Sequence, residues 1–343
     1  MDLSHPADRT RVPSPTAPPA AAEATLAEVG EFGTIARLVA RFGTGPQVLL
    51  GPGDDAAVVA VGGAGGSGGG RVVLTTDVLV EGRHFRRDWA EASDIGARAA
   101  AQSLSDVNAM GGRATALTVG LAVPPGTALA WVLGLADGLA AESALVGAVV
   151  VGGDLTRADT VVVSVTAMGG VDGEPVTRGG ARPGDLVAVN GRLGWAAAGL
   201  AVLGRGFRSP RAVVDAYRRP VVPYAAGPQA VQLGATSLVD VSDGLVADLG
   251  HVCASSGVDA LLESAALVVD EPLQAVGSAL GTDPTDFVLT GGDDHALVAT
   301  FAPGTALPAG WTVLGQVVAA AEERGRVLVD GQAPAGEGGF RHF

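Results

Sequence analysis

The chain has 343 residues, with 22 Lys+Arg against 36 Asp+Glu and a formal net charge of −14. Every cation is an arginine, which excludes a Walker-type phosphate loop, the strand lysine of protein kinases and a lysine Schiff base; the net negative field also argues against nucleic acid or an anionic membrane as partner. Cys253 is the only cysteine, which excludes an internal disulfide and a thiolate metal cluster and fits a reducing, cytoplasmic setting.

Residues 1–28 read as a disordered tail, because Pro13, Pro15, Pro18 and Pro19 stand among Ala and Ser. Ile35, Leu38, Val39 and Phe42 stand at helical spacing and predict a helix from Phe32. Residues 56–61 and 72–75 read as paired strands. Between them, 62–70 holds seven glycines in nine residues; its G-x-S-x-G match is a by-product of that run, and the segment reads as a hairpin linker. Residues 95–110 predict a helix of small residues suited to close packing.

Residues 114–136 carry no charge over 23 positions, but Pro124-Pro125 splits them into a strand (116–123) and a helix from near Thr127, so this is not a membrane span. Residues 146–151 and 161–165 predict buried strands. The Gly/Pro-rich TRGGARPG at 177–184 reads as an interdomain connection ahead of a strand at 186–189. Then come a small-residue helix (195–203), an Arg-rich link (205–219), a strand (237–241) and a helix from Leu245. Strands and helices mingle in both halves, which predicts an α/β (α+β) protein of two domains, 29–176 and 177–343.

The aspartates carry the chemical signal. Asp54-Asp55 follow Gly53, Asp77 closes the run VVLTTD, Asp106 ends QSLSD, Asp154 follows Gly152-Gly153, Asp240 and Asp243 bracket VDVSDG, and Asp293-Asp294 follow Gly291-Gly292. Most read as strand-end carboxylates beside a Gly- or Ser-containing turn, where backbone N–H groups can approach a ligand. Any one of them alone reads as a cap or an Asx-turn, and Asp54 as a turn residue. Together they suit Mg²⁺, which takes oxygen ligands, keeps waters and reaches proteins through carboxylates and substrate phosphates.

In order along the chain, GEFGTIARLV (30–39), GPGDDAAVV (51–59), TTDVLVEGRHF (75–85), LSDVNAMGG (104–112), VGGDLTR (151–157), TRGGARPGD (177–185), DVSDGL (240–245), LTGGDDHAL (289–297) and GFRHF (339–343) resemble the thiamine-monophosphate kinases. That family sits in the superfamily of aminoimidazole ribonucleotide synthetase and selenophosphate synthetase. The resemblance implies the two-domain aminoimidazole ribonucleotide synthetase-like fold, with mixed sheets flanked by helices. It implies a homodimer, ATP and thiamine monophosphate as substrates, and transfer of the γ-phosphoryl of ATP to give thiamine diphosphate. By the same resemblance Asp55, Thr75, Thr76, Asp77, Asp106, Asp154, Asp240 and Asp243 match metal ligands; Gly153, Asp154, Arg178 and Ser242 match nucleotide contacts; and His84, Asp293 and Phe340 match acceptor-binding positions.

No general base stands out, and the acceptor phosphate is already an anion, so Asp77, Asp106 and Asp154 would act through metal. One departure stands in the family's usual GGEDYEL, which here reads GGDDHAL: Asp293 is shorter than Glu by a methylene, about 1.5 Å, and His295 is expected to fill part of the gap. Two other readings stay open: a superfamily relative acting on another small substrate, and a nucleotide-binding paralogue without catalysis. Cys253 reads as a small buried core residue.

Overall fold

The computed structural model describes residues 25–42, 45–61, 70–321, 325–334 and 338–340. The described residues fall into two compact units, 25–42 in the first and those from 45 to 340 in the second. Most of the expected tail (1–24), the core of the glycine linker (62–69) and the last three residues of GFRHF lie outside the described residues.

The first unit holds α1 (Leu26–Val29) and α2 (Glu31–Val39). Helix α1 corrects the end of the expected tail: Thr25 and Glu28 form a reciprocal capping box that starts a helix there. Helix α2 forms where the spacing predicted it, though Phe32, Ile35 and Leu38 remain exposed.

The second unit contains two six-stranded mixed sheets. The first is built from β1 (Val48–Leu50), β2 (Ala57–Val61), β3 (Gly70–Val80), β4 (Arg113–Val123), β5 (Val149–Arg157) and β6 (Val162–Gly170), with α3 (Ala92–Ala109) and α4 (Leu129–Leu145). Its spatial order is β1-β2-β3-β6-β4-β5. Helix α4 is the crossover that makes β4 and β5 parallel; the other pairs are antiparallel.

Three expectations are corrected here. Strand β3 does not stop at Thr75: its pairing with β6 runs unbroken from Val72↔Gly170 to Val80↔Val162, which puts Asp77 inside the strand opposite Val165. Asp154 likewise lies within β5, opposite Gly120. And β5, expected from its valines to be buried, is an edge strand exposed along its whole length.

The second sheet has the order β12-β9-β11-β7-β10-β8. Its strands are β7 (Leu186–Asn190), β8 (Ala235–Val241), β9 (Val258–Leu262), β10 (Ala296–Phe301), β11 (Trp311–Ala319) and β12 (Val327–Val329). Around them lie α5 (Trp195–Gly204), α6 (Arg211–Arg218), α7 (Ala226–Gln232), α8 (Leu245–Ser256), α9 (Glu271–Leu280) and α10 (Pro284–Thr290). Helix α6 occupies much of the expected Arg-rich link: its arginines stay on the surface while Val213, Val214, Ala216 and Tyr217 are buried. Segment 177–184 lies between β6 and β7, the last strand of one sheet and the first of the other. Cys253 is buried in α8, and burial pushes its thiol up to about 12, so it packs as a small apolar residue.

Two packing contacts position the site. Helices α3 and α4 touch backbone to backbone at glycines. A Cβ on Gly96 would lie 2.0 Å from the Leu135 carbonyl oxygen, and one on Gly138 at 2.0 Å from that of Ser93. The second contact is Asp294, whose Oδ1 accepts the Ala196 N–H at 2.9 Å and so caps α5 from a distant loop. Burial raises the Asp294 carboxyl to about 7, with the charge of Asp293 adding to the shift and the N–H donors opposing it.

Each contact makes a prediction. Gly96→Ala gains helix propensity but closes the α3–α4 approach, so denaturant unfolding is expected to show a net loss of about 1–3 kcal/mol; a gain would show the helices have room. Asp294 is protonated in the folded chain and ionised in the unfolded chain between its ordinary value of 3.8 and about 7. Its contribution therefore falls as pH rises through that window, by ~4 kcal/mol in all at ~1.4 kcal/mol per unit. Asp294→Asn has no such proton to lose, so the stability of the unaltered chain minus that of the variant is expected to decline from pH 4 to 7; a flat difference would show that this carboxyl is not shifted.

Candidate active site

The site forms where α3 lies against both sheets. Side chains alternate along β3, so Val73, Thr75, Asp77 and Leu79 share its more buried face while Thr76 points to the other. Val73 and Leu79 are core residues, and the polar pair between them is met from α3. Thr75 Oγ1 donates to Asp106 Oδ2 at 2.5 Å, and Ser103 Oγ donates to Asp77 Oδ2 at 2.7 Å.

At about 100° per residue, Ser103 and Asp106 share one side of α3, while Arg98 and Ser105, seven apart, share another. That second side faces the other sheet. Ser105 Oγ donates to Asp240 Oδ2 on β8 at 2.8 Å, and the Arg98 guanidinium donates to Asp293 Oδ2 at 2.5 Å and to the Tyr217 carbonyl at 3.2 Å. Arg98 also stacks 4.6 Å from the Tyr217 ring centroid.

The turn before β2 contributes Asp54 and Asp55. Asp54 accepts the backbone N–H groups of Asp55 and of Arg178, both at 3.0 Å. The Arg178 guanidinium donates to Asp55 Oδ1, whose other oxygen is buried without a hydrogen-bond partner. From the opposite end, His295 Nδ1 lies 2.9 Å from Asp240 Oδ2. Asp248 in α8 accepts the N–H groups of Asp243 and Gly244, both at 3.0 Å, and so shapes the SDGL turn from inside. Gly244 is required there, with φ 135° and the Thr290 carbonyl 2.7 Å from where a Cβ would stand.

The carboxylates act on one another. Burial raises Asp55 to about 8, with Asp240 and Asp54 adding to the shift and Arg178 opposing it. Burial followed by the charges of Asp77, Asp240 and Asp55 holds Asp106 well above the carboxylate range. Asp77 is raised by burial and by Asp240, against Ser103 and His295. Burial disfavours the His295 imidazolium, but the bond to Asp240 and the surrounding carboxylates outweigh it and raise the ring. Like charges in a desolvated space produce this pattern, and added positive charge relieves it.

A divalent cation would supply that charge. Among the described residues no three His, Cys, Asp or Glu side chains close into a ligand set; each carboxylate is turned onto its own protein donor. The donor set is nonetheless hard oxygen, crowded and short of positive charge. It suits Mg²⁺, which binds through a few carboxylates together with water and substrate phosphate rather than in an all-protein cage.

Asp55, Thr75, Asp77, Asp106 and Asp240 therefore come together. Thr76 does not join them: its hydroxyl lies 2.8 Å from that of Thr166 on the far face of the sheet. Gly153 and Asp154 lie on exposed β5, with no hydrogen bond to the cluster. Ser242 and Asp243 flank the cluster in the turn after β8; the Ser242 carbonyl accepts the Asp293 N–H at 2.8 Å and the Asp243 carbonyl accepts that of Phe340 at 3.0 Å. This brings Asp293, Asp243 and the exposed ring of Phe340 to one loop cluster. His84 Nδ1 accepts the Val80 N–H at 2.9 Å, which puts the proton of a neutral ring on Nε2. Its carbonyl accepts from Tyr217 Oη at 3.4 Å.

Sequence reasoning missed Arg98, Ser103, Ser105, Tyr217 and Asp248, and it misplaced His295, which turns toward Asp240. A signal existed for some of them. Arg98 is the one charge in ARAAAQSL, and QSLSD spaces its two serines and aspartate for two sides of a helix.

Residues 53–171 match the family described as AIR synthase related protein, N-terminal domain. The thiamine-monophosphate kinase of Mycobacterium tuberculosis (strain CDC 1551 / Oshkosh) is 45% identical over 321 residues, 93% of each chain. That of Corynebacterium glutamicum is 38% identical over 327 residues, 93% of this chain and 95% of its own. Among solved structures, AaThiL complexed with AMPPCP and TMP superposes with a TM-score of 0.82 at 30% identity, covering 93% of this chain and 99% of that one. With such identity sustained over nearly its whole length, the chain belongs to the thiamine-monophosphate kinase family.

Proposed function

We propose that the chain transfers the γ-phosphoryl of ATP in line onto the phosphate of thiamine monophosphate, giving thiamine diphosphate and ADP, with several Mg²⁺ held by its aspartates. The observation that carries this reading is the group of carboxylates Asp55, Asp77 and Asp106, each raised first by burial and then by neighbouring carboxylates, gathered with the buried Asp240. Asp154, Asp243 and Thr75 complete the proposed ligands, whereas Thr76, turned to the far face, drops out. Bound there, Mg²⁺ would supply the charge neutralisation that phosphoryl transfer needs.

The chain's own residues do the rest. Arg178, held by Asp54 and Asp55, carries the planar fork that recognises phosphate oxygens in a chain without lysine, and Gly153 and Ser242 join it on the nucleotide. His84 offers Nε2–H to the acceptor. Phe340 presents an aromatic face to the cationic half of thiamine, worth about 0.5–2 kcal/mol. Asp293, fixed by Arg98, sets the position of that half. No side chain takes a proton from the acceptor, because the nucleophile is already an anion. AMPPCP and TMP in the AaThiL complex support this pair of substrates.

The working unit we propose is a cytoplasmic homodimer with domains 29–176 and 177–343. Two features support a dimer through the first sheet: β5 is an edge strand with unpaired backbone groups, and it exposes Val149, Val151 and Leu155. Among the described residues no helix is long and apolar enough to cross a membrane.

A coupled assay of ADP release with Mg²⁺-ATP is expected to show turnover that depends on thiamine monophosphate; no rate above the acceptor-free control would reject the activity. Asp77→Asn keeps the shape of a buried side chain and removes its charge. A loss of about a hundredfold or more in kcat is expected from several kcal/mol of transition-state stabilisation, with an unchanged circular dichroism spectrum. Leu155→Asp is expected to shift the sedimenting species from dimer to monomer, and a dimer that survives it would place the interface elsewhere.

A further inference from the structure

His295 is the least ordinary residue of the site. It stands at φ 52°, two residues after Asp293 at φ 66°, so this short loop holds two non-glycine residues in the left-handed region. Its backbone N–H donates to the Val241 carbonyl at 3.0 Å, which extends the β8–β10 pairing by one bond and fixes the ring's origin beside Asp240. The side chain is 2% exposed. A buried imidazole ordinarily satisfies both nitrogens, yet Nε2 here is buried without a hydrogen-bond partner and Nδ1 meets Asp240 alone. Holding Asp240 is therefore the one polar task the ring performs.

The geometry of that contact is selective. His295 Nδ1 at 2.9 Å and Ser105 Oγ at 2.8 Å both engage Oδ2 of Asp240, approaching from the loop before β10 and from α3. Two donors on one oxygen fix the rotation of the carboxylate and direct Oδ1 away from them. Nδ1 carries a proton in the donating neutral tautomer and in the imidazolium alike, so the clamp does not depend on the charge of the ring.

We infer that His295 and Ser105 are positioning residues that clamp Asp240 by Oδ2, so that Oδ1 is the oxygen presented to a divalent cation. The inference rests on the proposed reading of Asp240 as a cation ligand and goes beyond it by assigning which oxygen binds and what holds the other. Ligating carboxylates elsewhere are oriented by outer hydrogen-bond partners whose loss weakens metal binding about 10–100-fold.

Three replacements at 295 separate positioning from bulk. Asparagine carries its amide nitrogen where Nδ1 stands, glutamine carries it nearer Nε2, and phenylalanine keeps a ring without either. The full chain with one equivalent of AMPPCP is titrated with Mn²⁺, and the free ion is followed by its electron paramagnetic resonance signal. Melting in EDTA monitors the fold. His295→Phe and His295→Gln are expected to bind Mn²⁺ about tenfold or more weakly, and His295→Asn to stay within about threefold of the unaltered chain. The same order is expected in kcat at saturating substrates.

Phe as tight as His, or Asn as weak as Phe at equal melting temperature, would overturn the inference. If the position-295 variants do not fold, Ser105→Ala decides: it removes the second donor and is expected to weaken Mn²⁺, and unchanged affinity would overturn the clamp. Asp240→Asn distinguishes the layer beneath. Mn²⁺ affinity unaffected by it would remove Asp240 from the cation site, and the inference with it; affinity that depends on Asp240 but not on His295 would reject the clamp alone.

Discussion

Several carboxylates stand together in a space from which water is largely excluded, and the structure around them is arranged to make that tolerable. An isolated buried carboxylate is strongly disfavoured and its neighbours make it worse. Here each is given a donor from another element: Thr75 meets Asp106, Ser103 meets Asp77, Ser105 and His295 meet Asp240, and Arg178 meets Asp55. Protein donors satisfy shape and hydrogen bonding, but the excess negative charge remains. Under the proposed reading, a cation arriving with the co-substrate would relieve that deficit.

Helix α3 is the element that makes this arrangement possible. Its alanines and glycine bring its backbone against α4, and its few polar residues are divided between two sides. One side answers β3, and the other answers β8 and the loop carrying Asp293. A helix of large residues would hold the sheets further apart and leave serine hydroxyls out of reach. The same helix also couples two residues proposed to meet the acceptor. Arg98 binds Asp293 and stacks on Tyr217, whose hydroxyl reaches the His84 carbonyl. Asp293 and His84 are thereby tied to one buried arginine that no motif of the chain marks.

The helices at α2, α3, α5 and α8 were legible because their apolar or small residues recur at helical spacing, and most strands because short apolar runs end at turns. What misled was polarity inside strands. The run after Leu74 reads as a strand end because Thr-Thr-Asp follows valines, yet β6 supplies backbone partners through Val80 and α3 supplies side-chain partners to the buried-face pair. The opposite error befell β5, whose valines read as buried while its place at the sheet edge leaves them exposed. Local hydropathy cannot say which strands are central, since strand order is settled by pairing far along the chain.

By itself the sequence determined the chemistry available: arginine as the sole permanent cation, aspartates grouped beside glycine and serine, and an ordered set of motifs that belong to one family. The first two follow from composition and spacing and the third is a resemblance carried by the order of the motifs, and none of them depends on the fold. Only the tertiary structure decided which carboxylates share one desolvated space, that Thr76 turns from it while Thr75 turns in, and that His295 faces Asp240. The reason is physical: a carboxylate's environment is set by burial and by neighbours brought from 31 or 135 residues away, as with Thr75 and Asp106 or Ser105 and Asp240, and neither is a local property of the chain.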